Sequence, residues 1–101
     1  MISYAALMPH PPVMIREIGG GQLRQLQASL QALSTISSEL LASAPDCIVF
    51  LTPHGNVFQD CISYLSAERL EGDLRDFGWT DSGTSLANDL ELMHTIAGLA
   101  E

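Results

Sequence analysis

Two histidines stand in closely matched settings in this 101-residue chain: "LMPHPPVMI" (7–15) carries His10 and "IVFLTPHGNVF" (48–58) carries His54. Each follows an apolar run and a proline, and each has Pro or Gly directly behind it. Neutral imidazoles are ligands for zinc, iron, copper and nickel, so two of them converging would hold one divalent ion. Two are not enough for a strong site. A catalytic zinc centre takes three protein ligands, and the facial iron site adds one carboxylate to two histidines. Asp60, Asp73, Asp76 and Asp81 are the carboxylates nearest in sequence, but no motif separates any of them from an ordinary solvated loop charge. The competing reading of each histidine is a turn residue hydrogen-bonded to backbone. His94 falls within a helical pattern and reads as a surface or partly buried helix residue with no partner nearby.

The elements that must position these groups follow from periodicity. "ISYAALM" (2–8), bounded by Pro9, reads as a buried strand. The glycine run 19–21 then gives way to "GQLRQLQASLQALSTISSELLASA" (21–44), where Leu23, Leu26, Leu30, Leu33, Ser37 and Leu40 recur at steps of three and four. That spacing predicts an amphipathic helix. Pro45 lies just beyond its end, and "DCIVFLT" (46–52) is a short apolar run rich in β-formers, which predicts a second buried strand. Strand, helix, strand makes a βαβ unit with parallel strands, so the expected fold class is α/β. Both Pro-His turns would then emerge at the same carboxyl edge of the sheet, where open α/β sheets bind their ligands. Further on, "CISYLSA" (61–67) alternates as a third strand would, and "ERLEGDLRDFGWTDSG" (68–83), charged and broken by glycines, reads as a loop. Leu86, Leu90, Met93 and Ala97 predict a last helix, with Asp81, Ser82 or Thr84 as its cap.

Composition removes several functions. Four Arg, no Lys and 12 acidic residues give a net charge of −8, the wrong sign for a nucleic-acid backbone. No apolar run approaches the roughly 20 residues of a membrane span, and no charged leader precedes the first strand, so the expected location is the cytoplasm. Cys47 and Cys61 fit neither a disulfide framework nor a CxxC pair and read as buried reduced thiols. The glycine run lacks GxGxxG spacing and a following Lys, and no GxSxG is present.

Taken in order, "MPHPPVMI", "PDCIVFLTPHG", "LEGDLRDFG" and "ANDLEL" make the chain resemble the class III extradiol ring-cleavage dioxygenases of the LigB superfamily, nearest to the branch found in AmmeMemoRadiSam systems and related to the Memo proteins. The resemblance runs over nearly the whole chain. It implies that His10 and His54 are two of the three protein ligands of a non-haem Fe(II); Zn or Cu stay as alternative metals on imidazole chemistry alone. It also implies a small aromatic diol and O₂ as substrates of the parent protein. The third ligand, a glutamate, and the acid/base histidine lie downstream in the family and have no counterpart here, so no catalytic residue is assigned within the chain. Residues 1–101 are therefore expected to be the amino-terminal part of a larger LigB-like α/β domain, inactive alone and prone to self-associate or to need a completing chain segment. Memo-like relatives keep the fold in less settled roles, which leaves a non-enzymatic metal-binding or protein-binding module as the alternative.

Overall fold

A computed structural model describes residues 1–100. In chain order it contains a 3-10 turn Pro12–Met14, a short helix α1 (Arg16–Gly19), a 3-10 stretch Gly20–Leu26, helix α2 (Gln27–Ser43), strand β1 (Arg69–Leu74), a 3-10 turn Arg75–Phe77, strand β2 (Trp79–Ala87) and helix α3 (Leu90–Ala100). These residues form two units. The first comprises Met1–Asp46 with Asp73–Ser82, and the second Cys47–Gly72 with the segment from Gly83 onward.

In the first unit, the sequence behind His10 is tied into a tight knot. The Met14 and Ile15 N–H groups donate to the Pro11 and Pro12 carbonyls at 3.0 and 2.9 Å, which winds the 3-10 turn and buries Met14. Gly19 is required for this packing, because a Cβ there would run into the Val13 carbonyl oxygen and the Leu23 side chain. Beyond it the expected helix begins in a 3-10 winding and becomes α-helical only at Gln27. Leu23, Leu26, Leu30, Leu33, Ile36 and Leu40 form its half-buried stripe, with Ile36 in the place expected of Ser37. Ala44 ends the helix in the left-handed region at φ 46°, and its N–H returns to the Leu41 carbonyl at 3.1 Å. Pro45, which cannot continue a helix, stands directly behind. Across the same unit the Tyr4 hydroxyl donates to Glu39 Oε2 at 2.7 Å, joining residues far apart in the chain. This hydrogen bond, with smaller contributions from desolvation and the Glu39 charge, raises the Tyr4 pKa above its usual value.

Among the described residues the one sheet is the hairpin of β1 and β2, an antiparallel pair. Residues 68–83, expected to be a loop, are thus mostly strand and turn. The glycines that suggest a loop serve the hairpin: Gly78, at φ 93°, closes the turn by donating its N–H to the Arg75 carbonyl at 2.9 Å. Ser82 is 7% exposed and locks the tip. Its hydroxyl accepts the Leu74 N–H and donates to the Trp79 carbonyl, both at 2.6 Å.

In the second unit, Asn88 joins the base of the hairpin to the segment before it. Its side-chain amide donates to the Leu65 and Ala67 carbonyls at 2.8 and 2.9 Å, and its own N–H donates to the Glu68 carbonyl at 2.9 Å. Asp89 caps α3, its Oδ1 accepting the Leu92 N–H at 3.0 Å, so neither Asp81, Ser82 nor Thr84 fills that role. Leu90, Met93 and Ala97 lie half-buried on α3 as their spacing predicts, whereas Leu86 belongs to β2 and is exposed.

The architecture is therefore mixed α/β. Among the described residues no strand is assigned to 2–8, 46–52 or 61–67. The physical reason lies in what each pairing costs. A hairpin closes a short local turn, while a parallel pair must bring together strands separated by a long crossover and gains only when a sheet lies beside them. These runs instead carry much of the chain's exposed apolar surface, with Leu7, Leu51 and Ile62 each at least 91% exposed. The chain exposes 8797 Å² in all. Two separate compact units of half its mass would together expose only roughly 6,700 Å² by the usual size scaling.

Candidate metal-binding loops

His10 belongs to the first unit and His54 to the second; both residues are exposed. Around His10 the backbone is restricted by proline on either side. Pro11 takes φ −69° and ψ 136°, and a residue preceding proline is itself pushed toward extended conformations. The 3-10 knot at Pro12–Met14 then fixes where this loop rejoins the fold.

His54 is held by a different device. The Thr52 Oγ1 accepts the His54 N–H at 3.2 Å, a side-chain turn that spans Pro53. Gly55 follows at φ 108°, a conformation that L side chains rarely adopt. Thr52 is a residue that the motif alone does not single out, although a threonine two residues ahead of a turn is a recognised signal for this geometry.

The carboxylates divide differently. Asp73 is engaged by Arg75, whose N–H donates to Oδ1 at 3.1 Å and whose Nε lies 3.3 Å from Oδ2. Asp76 sits in the hairpin's 3-10 turn and Asp81 on β2, both exposed, and Asp60 is exposed in an irregular segment of the second unit. Among the described residues no three His, Cys, Asp or Glu side chains gather as a metal would require. Imidazole is a ligand type that suits a borderline divalent ion, but two imidazoles alone do not complete a donor set. His94 does have a neighbour, the Tyr64 ring, at a centroid distance of 6.1 Å and an interplanar angle of 75°. Both cysteines are free thiols and exposed, not buried as expected, because the strands that would cover them do not form here.

Comparison with known proteins decides the family. The profile described as the catalytic LigB subunit of aromatic ring-opening dioxygenase matches residues 4–101, a span that takes in both Pro-His loops. The chain belongs to the LigB family. It is also 31% identical, over 94 residues, to Protein CA_C1420 of Clostridium acetobutylicum. That match covers 93% of this LigB chain but only 20% of the clostridial protein. No solved structure matches significantly. No helix among the described residues of this LigB chain is long and apolar enough to cross a membrane.

Proposed function

We propose that the chain forms part of a non-haem Fe(II)-dependent extradiol dioxygenase and supplies two of its metal ligands, His10 and His54. The observation that carries this reading is the family match across residues 4–101, which includes both loops. Two imidazoles and one carboxylate leave one face of an iron centre open to a catechol-type diol and O₂, and the bound metal would let electrons pass between them so that the ring opens beside the diol. Within this chain the task is positional. Prolines 9 and 11 restrict His10, and Thr52 with Gly55 sets His54, so each imidazole would be presented by a preset turn.

The third ligand and the acid/base residue would come from outside these 101 residues. Agreement with only 20% of the clostridial relative's length supports that division. On this reading the chain is the amino-terminal portion of one LigB-like domain of the AmmeMemoRadiSam-related branch. The apolar runs 2–8 and 46–52 would be strands that pair in parallel once the remaining sheet is supplied by a completing segment or a second chain. Their apolar, β-forming composition and their exposure support this.

Oxygen uptake by the full-length protein, loaded with Fe(II) under anaerobic conditions and then given catechol and O₂, tests the activity. Stoichiometric O₂ consumption with a ring-opened product is expected. Metal binding without turnover on any catechol-type diol would favour the Memo-like, non-enzymatic alternative.

A further inference from the structure

The two Pro-His loops are built unequally, and the inequality singles out one residue. Proline on both sides stiffens His10, but His54 has proline only before it. Behind it stands Gly55 at φ 108°, the residue type with the greatest backbone freedom. With glycine behind it, His54 lacks the stiffening that a following proline gives His10, and the hydrogen bond from the His54 N–H to Thr52 Oγ1 at 3.2 Å supplies a restraint from the other side. The hydroxyl closes a turn across Pro53, and closing it restrains the Pro53–His54 peptide plane from which the His54 Cα–Cβ bond departs.

We infer that Thr52 is a positioning residue for metal binding by His54, acting through its hydroxyl on the backbone rather than by touching the metal. This rests on His54 being a ligand, as proposed above. The hydroxyl is the active feature because valine has nearly the same shape and β-branching, yet cannot accept the bond. Serine can accept it. Partners that orient a metal ligand from behind are worth about 10–100-fold in affinity, and a backbone restraint should fall at the lower end, near tenfold.

The test uses the full-length protein titrated with Co(II), a spectroscopically visible stand-in for Fe(II), alongside thermal unfolding of the metal-free form. Thr52→Val should weaken Co(II) binding about tenfold and alter its visible ligand-field bands, while the unfolding midpoint stays close to the parent's. Thr52→Ser should restore both affinity and spectrum. If His54→Ala abolishes binding while Thr52→Val leaves it unchanged, the positioning role is overturned and the ligand assignment stands. Equal weakening by valine and serine would also overturn it, since the hydroxyl would then not be what matters. If His54→Ala leaves binding intact, the ligand assignment itself falls, and the role of Thr52 with it.

Discussion

At the scale of single residues, side-chain hydrogen bonds to the backbone make particular positions sensitive. Ser82 shows this most clearly: at 7% exposure, its hydroxyl serves both a backbone donor and a backbone acceptor within the hairpin tip. Ser82→Ala should cost about 1–3 kcal/mol, because the Leu74 N–H and Trp79 carbonyl lose this partner away from free solvent. Urea unfolding of the full-length protein would measure it, and a loss below a few tenths of a kcal/mol would mean that water replaces the hydroxyl. Tyr4 carries a pH signature. Its hydrogen bond to Glu39 raises its pKa, so the bond's contribution is present below the ordinary tyrosine value, ~10, and is lost as pH rises through the higher folded value. Ultraviolet titration should therefore show one tyrosine ionising above that value, and Glu39→Ala should bring it back. Unchanged titration in Glu39→Ala would show that the bond does not form in solution.

Among the elements, what is legible in the sequence is what local chemistry alone determines. The leucine spacing of 21–44 predicts a helix because a 3.6-residue period needs no distant partner, and five of the six named stripe positions are half-buried as expected. The hairpin escapes a reading of this kind because Gly72, Gly78 and Gly83 look like breakers, although Gly78 is the left-handed residue that closes it. Asn88 and Asp89 escape it too, as the joint and cap before α3. An Asn-Asp pair ahead of an apolar run is their visible signal. Strands expected at 2–8 and 46–52 would rest on pairing that no local pattern can supply, and neither run is a strand in the structure. Ala44 gives a prediction at this scale. It ends α2 at φ 46°, where a Cβ costs roughly 1–2 kcal/mol. Ala44→Gly should recover about 1 kcal/mol in urea unfolding, after the greater freedom of glycine in the unfolded chain is counted. Destabilisation instead would indicate a different helix end.

For the whole molecule, the dominant physical fact is apolar surface left in water. Leu7 is fully exposed, and Phe50, Leu51, Val57 and Ile62 are each more than half exposed. Apolar side chains left in water in such number favour association with other apolar surface. Residues 1–101 produced alone should bind a hydrophobic dye strongly and sediment as more than a monomer, whereas a dye-silent monomer would show that the chain covers these runs itself. The family is legible in the sequence, since the two Pro-His loops lie within the family match over residues 4–101. What the chain does not disclose is the rest of the donor set, since no three donors gather among its described residues. The most direct measurement is Fe(II) affinity under anaerobic conditions for the full-length protein and for its His10→Ala and His54→Ala variants, each checked for native unfolding behaviour. Loss of most binding in each single variant is the expected result. Affinity unchanged in either one would contradict joint ligation by His10 and His54.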